Sequence, residues 1–139
     1  MKNKYSNLTE ATNLLLEREL QAHRQNVAES ARLAAEMAQI DGLREAAQAD
    51  SGAIGARQIL GADALWQGWL VRKRAQILRD VAMARAQETD SLSQARMAFS
   101  RAEAAKNLTR EETNLKKKRR LKVEAETLDA LGMLRLEEN

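Results

Sequence analysis

The chain is 139 residues long, with 25 Ala and 19 Leu, no Pro, no Cys, one His and four aromatic residues. Absent thiols exclude disulfides, thiolate metal sites and cysteine nucleophiles, and a lone His leaves neither a His-pair metal site nor a triad base. The 23 basic and 20 acidic residues give a net charge of +3, too balanced to declare a nucleic-acid binder from charge alone.

A chain rich in Ala, Leu and charge but without Pro reads as long helix, since Pro costs about 3 kcal/mol inside one. Tyr5, Trp66, Trp69 and Phe99 are too few rings for a thick globular core. The nearest thing to a signal-peptide core is Leu14-Leu15-Leu16, which runs straight into Glu17-Arg18-Glu19. With no run of about 18 apolar residues either, a cytoplasmic location is expected.

The first helix is expected over about 6–49, with Ser6 or Thr9 as its cap. Its apolar stripe reads Leu16, Leu20, Val27, Ala31, Ala34 and Ala38, flanked by Leu33, Met37 and Ile40. One heptad series is Leu20, Val27, Ala34; the other is Leu16, His23, Ser30, Met37, and it is half polar. His23 on such a seam is either a tolerated polar residue or a pH switch. Gly42 is expected inside the helix, at about 1 kcal/mol.

Asp50-Ser51-Gly52 is the strongest breaker cluster and places the reversal at about 50–54. The second helix then starts at about 54–57 and runs to about 136. A 3-4 walk along it gives Leu70, Arg74, Ile77, Val81, Ala84, Glu88, Ser91, Ala95, Ala98, Ala102 and Ala105. Phe99 and Met97 are expected to cap the far end of this core. A further stripe follows at Leu121, Ala125, Leu128 and Leu131. About 80 helical residues make roughly 120 Å at 1.5 Å per residue, and about 44 residues cover only half of that. Residue 6 would then lie opposite a position near 97, leaving about 100–136 uncovered. The expected fold is all-α: a single antiparallel two-helix coiled-coil hairpin with a longer second helix.

Two constellations stand out. Trp66 and Trp69 share a helix face at i and i+3 with Leu65 and Leu70 nearby. They either form an aromatic anchor for a partner or plug the hairpin against Ile40, Leu43 and Leu60. Lys116-Lys117-Lys118-Arg119-Arg120-Leu121-Lys122 carries six cations and no acid, and Arg72-Lys73-Arg74 with Arg79 forms a second basic patch. Such runs bind phosphates by counterion release or bind acidic protein surfaces. Five consecutive charges wrap a whole helix circumference, and no aromatic interleaves them for base stacking. Glu111-Glu112 and Glu137-Glu138 diverge by about 100° on a helix, so neither pair shares a proton or metal. Gly52-Ala53-Ile54-Gly55 lacks the strand that a phosphate loop needs. No catalytic residue, cofactor, metal site or small-molecule substrate is indicated.

The layout resembles the FliJ family of flagellar type III export proteins and their YscO-like injectisome relatives. The residues that carry the likeness are Gly52-Ala53-Ile54, Leu65-Trp66-Gln67-Gly68-Trp69-Leu70, Arg96-Met97-Ala98-Phe99-Ser100-Arg101 and the stretch from Lys116 to Asp129. The resemblance implies a non-enzymatic stalk-like coiled coil, similar to the γ stalk of rotary ATPases. It would enter the pore of the hexameric export ATPase and couple it to the export gate membrane protein. Some members also bind export chaperones. By position, the resemblance implies gate contacts at Leu65, Trp66 and Trp69. It implies ATPase contacts at Lys116, Lys117, Lys118, Arg119, Arg120 and Lys122. The chain would be cytoplasmic and peripheral to the inner-membrane export apparatus, touching membrane only through partners. Ala31, Ala35, Ala38 and Gly42 depart from the family pattern, which carries larger polar or aromatic residues there. Two other functions compete: a basic coiled-coil nucleic-acid-binding protein, and a generic helical scaffold or export chaperone.

Overall fold

The computed structural model describes residues 3–50 and 61–138. They form two α-helices, α1 (Ser6–Asp50) and α2 (Ala62–Glu137), of 45 and 76 residues, and no strand occurs among the described residues. The fold is all-α, with the two helices packed against each other and the second the longer. Cross-helix partners run in opposite senses: Asp41 meets Arg74, Asn26 meets Gln87, His23 meets Ser91 and Thr9 meets Thr109. The helices are therefore antiparallel. Their packing divides into two units, one of Arg18–Ala95 and one of Met1–Glu17 with Arg96–Asn139.

Neither expected cap starts α1. Asn3 Oδ1 accepts the Tyr5 amide at 2.9 Å, the Ser6 amide closes a turn on the Asn3 carbonyl, and the Tyr5 carbonyl takes the Thr9 amide. The short Asn side chain thus shapes the entry turn, as Asx motifs do, and Ser6 is already helical. Gly42 lies inside α1, with open space where its Cβ would be. The reversal expected at 50–54 lies, beyond Asp50, outside the described residues. The second helix begins later than 54–57 because Gly61 sits at φ +70°, off the helical path, while its carbonyl accepts the Leu65 amide at 3.1 Å. Glycine takes that left-handed conformation without a Cβ clash, and Asp63 in the first turn faces the positive end of the helix dipole.

In the Arg18–Ala95 unit the core is Ile40, Leu70 and Ile77, with Met37, Ala47 and Val81 packed on it. Leu70 and Ile77 are fully buried, each contributing about 1.5–3 kcal/mol by removal from water. Every member of the expected walk from Leu70 to Ala105 is buried or half-buried. The inner row of α1 differs from expectation. Leu20 and Val27 are 38% and 41% exposed, and Ala31, Ala34 and Ala38 face solvent. Of the two heptad series expected inward, Leu16, His23, Ser30 and Met37 are half-buried as expected, whereas the other gives way to Asn26, Leu33 and Ile40. Rotating the helix by one residue hides Leu33 and Ile40, which carry more apolar area than Ala34 and Ala38. The cost is a polar seam: Ser30 Oγ is buried with no hydrogen-bond partner among the described residues.

In the other unit, Ala98, Ala102 and Ala105 are buried on α2, and Thr12 is buried on α1. Thr12 satisfies its hydroxyl on the Leu8 and Thr9 carbonyls, at 2.9 and 3.0 Å. Thr9 and Thr109 join their hydroxyls at 3.0 Å, and Asn3 Nδ2 donates to the Thr109 carbonyl at 3.0 Å. Residue 6 therefore lies opposite a position well past 97, and coverage of α2 reaches Glu112. The later start of α2 carries the partner of each α1 residue further along it. Phe99 and Met97 cap nothing: they are 54% and 48% exposed, because each diverges from inward Ala98 by one helical step. Every described residue from 113 to 138 is exposed.

Two measurements check this register. Leu70→Ala should destabilise the fold by about 2–5 kcal/mol, whereas Leu20→Ala should cost under about 1 kcal/mol; equal shifts in urea midpoints would contradict the observed inner row. Ser30→Ala should raise stability by about 0.5–1 kcal/mol, since it deletes an unpaired buried hydroxyl and adds helix propensity.

Candidate functional site

Two exposed surfaces carry the side chains that chemistry marks out, one in each packing unit. The first is at the start of α2. Asp63, Gln67 and Leu70 form the inner row, so Leu65, Trp66 and Trp69 fall together on one flank, within about 100° of arc. Leu65 is 74% exposed, and the two indoles are 42% and 43% exposed. The rings stack on each other with centroids 5.3 Å apart and planes 9° from parallel. Among the described residues neither ring joins the core: Leu70 holds the place against Ile40, Leu43 is itself exposed, and Leu60 lies outside the described residues. The stack fixes the two indoles against each other, and rigid aromatic groups bind with little loss of side-chain freedom. Beside Gly68 the Arg72 guanidinium lies within ordinary contact of where a Cβ would stand, with Nη1 at 3.5 Å.

The second surface is the basic run. Lys116, Lys117, Lys118, Arg119, Arg120 and Lys122 are all exposed. Their charges are not equally available. Glu112, Lys116, Arg120 and Glu124 succeed one another at four-residue steps, which puts them on one strip of the helix. Lys116 Nζ lies 3.9 Å from Glu112 Oε1, and Arg120 Nε lies 4.0 Å from Glu124 Oε1. Glu112 also meets Lys4 Nζ at 3.4 Å, and that carboxylate raises the Lys4 pKa above the ordinary lysine value. The strip is thus neutralised by its own neighbours. Lys117, Lys118, Arg119 and Lys122 make no ion pair among the described residues, and Lys118 and Lys122 lie on the side of the helix away from the strip. The four-residue spacing of Glu112 and Lys116 is legible in the sequence and the contact follows it, whereas the same spacing of Lys122 and Glu126 gives no ion pair among the described residues.

The second basic patch has a structural role. Arg74 Nε binds Asp41 at 2.8 Å and Lys73 Nζ lies 3.6 Å from Glu36, both across to α1. Arg79 is held by Gln76 at 2.8 Å. His23 is also part of the seam: its Nδ1 lies 2.8 Å from Ser91 Oγ, whose own proton goes to the Glu88 carbonyl at 3.0 Å. Among the described residues no three His, Asp or Glu side chains converge on a metal position, and no helix is long and apolar enough to cross a membrane.

No family model matches the chain, and neither a curated protein nor a solved structure matches it.

The stacked indoles make an optical test. The wild-type chain should give an exciton couplet in far-ultraviolet circular dichroism, in the strong indole band, that disappears in both Trp66→Phe and Trp69→Phe, with acrylamide quenching confirming solvent access to both rings. A couplet that survives either substitution would contradict the stack.

Proposed function

We propose that this chain is a non-enzymatic helical component of a type III protein export apparatus, of the FliJ kind. In this reading Lys116 to Lys122 engage an acidic surface of the hexameric export ATPase, and Leu65, Trp66 and Trp69 engage the export gate membrane protein. The chain would act in the cytoplasm, peripheral to the inner membrane, and through contact alone. The observation that carries the reading is the cation set Lys117, Lys118, Arg119 and Lys122, without ion pairs among the described residues, on the stretch of α2 that extends beyond its packing with α1. Cations that already sit in exposed, extended order lose little on docking, and their attraction to an acidic surface speeds encounter. The stacked indoles supply what charges do not, a desolvated anchor of the type that dominates interface energetics.

The basic nucleic-acid reading competes for the same cations. It has less support, because no exposed aromatic ring lies within the run to stack a base and two of the six cations are already matched to acids.

The test is binding to an export ATPase at low salt. Lys117→Glu, Lys118→Glu and Arg119→Glu combined should weaken it by about tenfold or more, the equivalent of 1.4 kcal/mol. Unchanged affinity would remove the run from this role, and no binding by the wild-type chain would overturn the reading. A salt-sensitive gel shift with nucleic acid, in place of ATPase binding, would favour the competing function.

A further inference from the structure

The exposed stretch of α2 is electrically divided. Residues 113–122 hold six cations and no acid, whereas 123–138 hold Glu124, Glu126, Asp129, Glu137 and Glu138 against the single cation Arg135. The same stretch carries an apolar stripe: Leu121, Ala125, Leu128 and Gly132 recur at helical four- and three-residue steps on one face, and all four are exposed. A stripe of this kind is a coiled-coil seam, and the charges that flank a seam set the orientation of its partner. A parallel copy would lay six cations beside six cations. An antiparallel copy lays the basic half along the acidic half, twice over.

We propose that the occupant of this face is a second copy of the same chain, bound antiparallel through residues 113–138. In that arrangement Ala125 of one copy layers on Leu128 of the other, and Leu121 layers on Gly132. Lys122 then faces Asp129 and Lys117 faces Glu138, each pair occurring twice by the symmetry of an isologous contact. Lys118 of one copy faces Arg135 of the other at each end of the stripe, the one like-charge layer, where their aliphatic stems cover apolar surface and their charges diverge into water. Lys116 and Arg120, already matched to Glu112 and Glu124, lie away from the seam. The seam is short, so the association depends on protein concentration and weakens with salt. This inference stands independently of the export reading, but the pairing covers Lys117 and Lys122 and would compete with any acidic partner.

The experiment uses the full chain. Sedimentation equilibrium should show a mass that moves from one chain to two as concentration rises, and back toward one at high salt. The variants K117E/K122E and D129K/E138K, each helical by circular dichroism, should remain monomeric alone, yet form a dimer when mixed in equal amounts. Orientation is read separately. The natural chain has no Cys, so Lys118→Cys mixed with Arg135→Cys should oxidise mainly to the mixed disulfide, whereas a parallel pair would give the two homodimers. A wild-type chain that stays monomeric at all concentrations, a mixture that fails to dimerise, or homodimeric cross-links would each overturn the proposal.

Discussion

The inner row of α2 is narrow, and that width governs what α1 can place opposite it. From Ala84 onward the buried positions are Ala84, Ser91, Ala95, Ala98, Ala102 and Ala105. Small residues let two backbones approach closely, but each removes little apolar area from water, at about 0.8 kcal/mol per buried methylene. Long apolar side chains facing that row would hold the helices apart. Short polar ones fit and reach across: His23 to Ser91 at 2.8 Å, Asn26 to the Gln87 carbonyl at 3.2 Å, Thr9 to Thr109 at 3.0 Å. Each such bond is worth only about 0.5–1.5 kcal/mol net, yet together they do what an alanine row cannot. Alanine faces alanine equally well after a slip of one heptad, whereas a slip would strand His23 and Asn26 with unpaired groups.

The large apolar residues act differently. Ile40, Leu70 and Ile77 concentrate hydrophobic burial in one place, and the rotation of α1 about its own axis follows from hiding Leu33 and Ile40 together. Leu20 and Val27 are left half in water as a consequence. Rotation is thus set by a few bulky side chains, and axial register by the polar pairs.

This division explains which features were legible in the sequence. The inner row of α2 could be read to the residue, because its bulky members and its alanines keep one uninterrupted 3-4 spacing from Leu70 to Ala105. The inner row of α1 could be read only in part: the series Leu16, His23, Ser30 and Met37 holds, but Thr9, Thr12 and Asn26 carry no apolar signal, and a reading that follows apolar residues puts Leu20 and Val27 in the other series. The pairing register was misplaced for a different reason. It was counted from the Asp50-Ser51-Gly52 cluster, whereas the start of α2 is set by Gly61, whose positive φ no composition count reveals. At the exposed surfaces the residue types and their helical spacing were legible, and which of them pack or pair was not. The Trp66 and Trp69 spacing signals a shared flank, but the choice of Leu70 over both indoles for the core depends on α1. Likewise six cations are plain in the sequence, while their division needs the acids four residues to either side.

Residues 113–138 show how a helix persists where tertiary packing stops. Helices without partners are marginal in water, because nucleation is costly and propagation gains little per residue. This stretch is built almost wholly of residues with favourable or neutral propensity, with no Pro and only Gly132 costing about 1 kcal/mol. The Glu112–Lys116 and Arg120–Glu124 contacts add a few tenths of a kcal/mol each. It also continues from the covered part of α2, so no new nucleus is needed. A segment held by propensity rather than by burial keeps its apolar stripe and its free cations in water and in helical order at once. The ordering entropy that a disordered tail would lose on binding has then largely been met before a partner arrives. That is the physical sense in which the exposed half of α2 is suited to contact: its shape is local in origin, and its unsatisfied surface is left for another molecule.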